Sequence, residues 1–118
     1  TGVGTIAFPG FASEWWKLSE VELHQAAEVI IERTATRVPV LLNITAQSTL
    51  HALHQGRRFV DIGCSALMCL PPFVGGGSAA ETLAHVSALL EAFPLPFVLQ
   101  YSPSLTGTRF GARTPANA

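Results

Sequence analysis

The sequence is short of charge, and of lysine above all. Only 13% of its 118 residues are Asp, Glu, Lys or Arg, about half the share of an average soluble domain, and Lys17 is the only lysine. A formal net charge of −1 and a single adjacent basic pair, Arg57-Arg58, leave no field to steer a nucleic acid, so no such partner is expected. No apolar stretch reaches the roughly 18–20 residues that a spanning helix requires, and no basic-then-apolar leader opens the chain. No membrane partner is therefore expected, and the cytoplasm is the expected compartment. Cysteine is limited to Cys64 and Cys69, which read as two buried thiols rather than a disulfide and lack the spaced pairs of a zinc site.

What the sequence has in quantity is apolar side chain, 48% of its residues. Four apolar runs, residues 5–9, 38–44, 66–70 and 97–101, each stop at a cluster of Gly, Pro, Ser or Thr. The first three lead into amphipathic helix patterns, which makes a βαβαβαβ chain. Short unbroken runs of Val, Ile, Leu and Phe suit strands buried on both faces, hence an α/β fold with a parallel sheet under covering helices. Right-handed crossovers then place every C-terminal strand end on one edge, so segments 10–14, 43–49, 71–77 and 101–107 converge there, and any site with them.

Strand starts recur about every 30 residues, the repeat of a (β/α)8 TIM barrel. The expected architecture is a partial TIM barrel, about half of one, over residues 1–107. Residues 108–118 are rich in Arg, Pro, Ala and Asn and have no apolar period; they read as a disordered or aberrant tail. The scarcity of charge, with a start at Thr1 rather than Met, suits an incomplete piece that further chain would cover.

Ser19 and Glu22 form a capping box at the start of the first helix, and Ser78 and Glu81 repeat it at the third. Ser48 or Thr49 caps the second helix, which ends near Gly63. The expected buried stripes are Val21, Ala26, Val29 and Ile30 on the first helix, Leu50, Leu53, Phe59 and Val60 on the second, and Leu83, Val86, Leu89 and Leu90 on the third. Pro94 and Pro96 close the third before the last strand.

Few residues here carry chemistry. The segment Gly10, Phe11, Ala12, Ser13, Glu14 follows the first strand where backbone amides are free, which suits either a cradle for a carboxylate or phosphate, with Ser13 as an added donor, or a plain tight turn. Trp15 and Trp16 wall a pocket or, more simply, pack over the helix start. Tyr101, the only tyrosine, ends the fourth strand; a phenol there could pass protons, though tyrosines at strand ends are more often structural. His51 and His54 stand at i, i+3 and could meet one metal, but no carboxylate or cysteine motif supports them and a solvated helix face is the simpler reading. Gly75, Gly76 and Gly77 lack the Lys-Ser/Thr of a P-loop.

Taken in order, these pieces resemble the pyruvate-dependent class I aldolases of the dihydrodipicolinate synthase and N-acetylneuraminate lyase family. The resemblance rests on Gly2-Val3 before the first strand, Gly10 through Glu14, Leu18-Ser19-Glu20, Arg37-Val38-Pro39-Val40, Ser48-Thr49, Pro71-Pro72-Phe73, Leu95-Pro96, and Tyr101 with Pro103, Thr106 and Gly107. It covers roughly residues 1–107 and implies strands two to five of an eight-stranded barrel. It further implies a lysine on the sixth strand that forms a Schiff base with pyruvate or another 2-keto acid, making a carbanion equivalent at the neighbouring carbon. By that resemblance Tyr101 is the catalytic proton relay, and Gly10, Phe11, Ala12 and Ser13 bind the keto acid's carboxylate. No cofactor or metal is implied, and the full-length form is expected to be a homo-oligomer.

This chain departs from the family's pattern in three places. Phe11 and Ala12 stand where two threonines are usual. The segment from Tyr101 to Gly107 is one residue shorter than in dihydrodipicolinate synthases and has Leu105 in place of an arginine, so a dicarboxylate would lose its clamp. With Trp15-Trp16 after Glu14, this is closer to members that include sugar-acid dehydratases and aldolases, and points away from lysine biosynthesis. Lys17, near the start of the first helix and one βα unit too early, is on the wrong element for the Schiff base, so the isolated chain is expected to be inactive. Two other readings stay open: a non-catalytic keto-acid-binding member, and a complete, unrelated open α/β domain.

Overall fold

The computed structural model describes residues 2–10, 13–72 and 78–100. Four short strands, β1 (Ile6–Phe8), β2 (Val40–Asn43), β3 (Ala66–Cys69) and β4 (Phe97–Leu99), alternate with α1 (Glu20–Thr34), α2 (Thr49–Asp61) and α3 (Ala79–Ala92). Their order in the sheet is β1-β2-β3-β4 and each neighbouring pair is parallel. The strands are shorter than the apolar runs. Pro39, for example, has no N–H for the ladder, although its carbonyl accepts from Ile6 N at 3.0 Å.

The register lines up Ala7 with Leu41 and Leu41 with Ala66, and one layer on, Asn43 with Met68 and Met68 with Val98. Residues opposite one another in a sheet share a face. The alternate positions Ile6, Phe8, Val40, Leu42, Leu67, Cys69, Phe97 and Leu99 all join one apolar cluster with Ala27, Ala52, Phe59 and Leu89 of the three helices. All three helices therefore lie on one side of the sheet. The other face carries Ala7, Leu41, Asn43, Ala66, Met68 and Val98, of which Asn43 and Ala66 are buried and Val98 is 42% exposed. The helices thus cover one face of the strands, and the second face is partly covered within this chain, at Asn43 and Ala66. A sheet wound in one direction, with helices on one side only, is part of a barrel wall, whereas a complete doubly wound domain reverses strand order and carries helices on both sides.

Both capping boxes form: Ser19 N donates to Glu22 Oε1 at 2.9 Å and Glu22 N to Ser19 Oγ at 3.1 Å, and Ser78 and Glu81 make the same exchange. Ser48, not Thr49, caps α2, its Oγ accepting from His51 N at 3.1 Å. A 3-10 turn, Trp15–Lys17, precedes α1. The buried stripes match those expected at Phe59, Val86 and Leu89 and differ elsewhere. On α1 they are Leu23, Ala27 and Thr34, while Val21 and Val29 are 59% and 53% exposed. Val21 precedes Leu23 by two residues, about 200° around the helix, and so points outward. On α2, Leu50 in the first turn is exposed and Ala52, Gly56 and Phe59 are buried; on α3, Leu90 is exposed and Thr82, His85, Val86 and Leu89 are buried.

Phe59, Leu42, Ile44, Leu67, Leu70 and Leu89 are among the large side chains with almost no exposure, each contributing about 1.5–3 kcal/mol by leaving water. Gly56 on α2 admits the Phe93 ring, which a Cβ at that position would strike. Gly63, at φ +94, takes the left-handed turn out of α2.

Candidate functional site

The C-terminal ends of all four strands share one edge, and the candidate site is built there. Pro9 is buried at the end of β1, and the chain turns at once: Ser13 N donates to Gly10 O at 3.0 Å, and Gly10 N donates to Ser13 Oγ at 3.3 Å. Phe11, Ala12 and Tyr101 lie outside the described residues, as do Gly75, Gly76, Gly77 and residues 108–118. Gln100, whose N–H donates to Cys69 O at 2.8 Å, is the last described residue beyond β4. The expectation of free amides is thus corrected at Gly10 and Ser13. Each amide has left the strand ladder, and the nearest acceptor is the other residue of the turn. The Gly10 bond is long, and the serine hydroxyl that accepts it keeps a proton to give.

Glu14 follows in the left-handed region at φ 51, and its Oε2 pairs with Lys17 Nζ at 2.7 Å. Both side chains are more than half exposed, so the pair is worth at most about 1 kcal/mol. The chain's only lysine is a surface ion-pair partner in the 3-10 turn.

Beneath the turn runs a buried polar chain that inspection of the sequence missed. Leu70 N donates to Thr45 Oγ1 at 2.8 Å, the Thr45 hydroxyl donates to Asn43 Oδ1 at 2.5 Å, and Asn43 Nδ2 donates to Pro9 O at 2.9 Å. Thr45 N also donates to Asn43 Oδ1, at 2.8 Å. Asn43 and Thr45 are only 3% and 7% exposed, so these bonds replace water that neither side chain can reach. The signal in the sequence was an amide and a hydroxyl at alternate positions where an apolar run ends.

A cleft of about 230 Å³ opens beside this edge, lined by Pro9, Trp15, Trp16, Asn43, Thr45 and His51 among others. Trp15 and Trp16 meet edge to face, centroids 5.8 Å apart, and wall the cleft rather than merely covering the helix start. His51 Nε2 lies 2.6 Å from Glu20 Oε1, an α1–α2 contact with both side chains about half exposed; His54 is exposed. Among the described residues no three His, Cys, Asp or Glu side chains gather as a metal site would require.

His85 of α3 is buried against the start of α2. Its Nδ1 is 2.9 Å from Thr49 Oγ1, its Nε2 is buried without a partner, and desolvation pushes its pKa down. Cys64 and Cys69 are free buried thiols, as expected. Burial raises both, Cys69 to about 12, which leaves them protonated and unreactive at neutral pH.

The 4-hydroxy-tetrahydrodipicolinate synthase of Erythrobacter litoralis is 37% identical over 108 residues, covering 92% of this chain and 37% of the relative. The enzyme of that name from Thermomicrobium roseum is 31% identical over 105 residues, covering 89% and 35%. Among solved structures, the chloride-inhibited dihydrodipicolinate synthase from Acinetobacter baumannii, complexed with pyruvate, superposes with a TM-score of 0.91 at 27% identity, over 96% of this chain and 39% of that one. The chain thus spans little more than a third of the length of the relatives it matches. Among the described residues no helix is long and apolar enough to cross a membrane. The match to the Dihydrodipicolinate synthetase family extends over residues 1–116, and the chain, a partial (β/α)8 barrel wall, belongs to that family.

Proposed function

We propose that this chain supplies strands two to five, over residues 1–107, of a Schiff-base-forming 2-keto-acid lyase of the class I aldolase type, with residues 108–118 as a tail. In this reading the turn closed by Gly10 and Ser13, together with Phe11 and Ala12, receives the carboxylate of pyruvate or a similar keto acid, and Tyr101 passes protons to and from the reacting centre. The observation that carries it is the placement of the Gly10–Ser13 hydrogen bonds at the end of β1, on the edge where parallel strand ends meet. A ligand carboxylate is a stronger acceptor than a serine hydroxyl. It would take over the Gly10 N–H and receive the Ser13 O–H. The pyruvate complex of a relative with the same fold supports the ligand class.

The imine-forming lysine is not among these 118 residues, since Lys17 is the only lysine and is paired with Glu14 at the surface. Alone, the polypeptide binds keto acid without turning it over. The exposed apolar side chains Val21, Val29, Leu50 and Leu90 support a homo-oligomer for the full-length form. The test is titration with pyruvate followed by Trp15 and Trp16 fluorescence, then borohydride reduction and mass spectrometry. Saturable quenching with no covalent adduct is expected; an adduct on Lys17, or no response at all, overturns the reading. A non-catalytic keto-acid binder is the second reading, favoured by Phe11 and Ala12, which bring no hydroxyl to the turn. Binding without turnover by a full-length homologue with the same pair would establish it.

A further inference from the structure

The hydrogen bonds from Leu70 to Pro9 all run in one direction. The Leu70 N–H gives to the Thr45 hydroxyl, the Thr45 O–H to the Asn43 carbonyl oxygen, and the Asn43 amide to the Pro9 carbonyl. The amide's orientation follows from its partners, because Thr45 N–H can only donate and Pro9 O can only accept. Bonds aligned in this way polarise one another, most of all where water is excluded. The last acceptor, Pro9 C=O, belongs to the same peptide unit as the Gly10 N–H. Drawing electron density toward that oxygen makes the Gly10 amide a stronger donor and fixes its direction at the mouth of the turn.

We propose that Asn43 and Thr45 are positioning residues that orient and polarise the Pro9–Gly10 peptide for an anionic ligand of the keto-acid carboxylate class. This rests on the reading of that turn as the carboxylate site. Neither side chain touches the ligand in this account; both act through Gly10. The chain also joins the ends of β1, β2 and β3, so the turn after β1 and the segment after Leu70 are held in one frame.

Ser65 supplies a matched control at the opposite edge, where its Oγ accepts from Val40 N at 3.0 Å, another side-chain link between neighbouring strands. The experiment uses the 118-residue chain with N43A, T45V, T45S and S65A. It reads pyruvate affinity from tryptophan fluorescence and backbone exchange by mass spectrometry in peptides covering residues 9–18. We expect N43A and T45V to weaken pyruvate binding by about tenfold, the loss of one well-aligned hydrogen bond, and to speed exchange in those peptides. T45S, which keeps the hydroxyl, should behave like the parent, and S65A should change neither readout even where it lowers the melting temperature. Equal effects from S65A, or unchanged exchange at residues 9–18 in N43A and T45V, overturn the proposal. Should N43A fail to fold, T45V against T45S makes the same decision. If the parent chain binds no pyruvate, the keto-acid reading falls, and the exchange comparison still decides whether Asn43 and Thr45 hold the turn.

Discussion

Asn43 uses both sides of its amide and Thr45 both capacities of its hydroxyl, whereas His85 satisfies one nitrogen and leaves the other buried and unpartnered. That difference makes His85 sensitive to pH. Its buried ring favours the neutral form, so its folded pKa lies below the ordinary 6.5. Unfolding therefore takes up a proton as the pH drops below about 6.5. His85 makes no such demand above that value, and stability falls as the pH is lowered from it toward the folded pKa. Urea titrations should give a lower midpoint at pH 5 than at pH 7.5, with a smaller difference in H85Q; an equal difference in H85Q would contradict this. Neither His85 nor Asn43 was legible from sequence. Each sits in a segment whose local pattern is ordinary, and its partner is 34 to 36 residues away.

Elements whose signals are local were legible. The two capping boxes formed as expected because each is a three-residue exchange that no distant contact can undo. Helix phase was legible at Phe59, Val86 and Leu89 but not at Val21, Val29, Leu50 or Leu90, since it depends on where the sheet lies. Val21 and Leu50 are as apolar as Leu23 and Leu53, and only packing selects between them. Gly56 shows the same limit. Inside a helix, glycine is about 1 kcal/mol worse than alanine, so G56A should stabilise α2 by propensity alone. The Phe93 ring occupies the space a Cβ would take, and overpacking of this kind costs about 1–3 kcal/mol. The net expectation for G56A is a lower melting temperature, and a raised one would show that Phe93 can move aside.

At the scale of the whole molecule, the helices cover one face of the sheet only, and the chain matches little more than a third of its relatives' length. The order of strands and the shared edge could be read from four apolar runs and their turns. The placing of all helices on one side could not, because an unbroken run of Val, Leu and Ile looks the same in a barrel wall as in a doubly wound sheet. The central claim is that these strands are part of a Schiff-base lyase whose nucleophilic lysine lies on the next strand. The direct measurement is to sequence the encoding DNA downstream of Tyr101 in all frames. The expected result is a strand bearing a lysine one βα unit on, roughly 30 residues past Tyr101. A coding sequence that stops without one would contradict the claim and leave a keto-acid-binding scaffold without the chemistry.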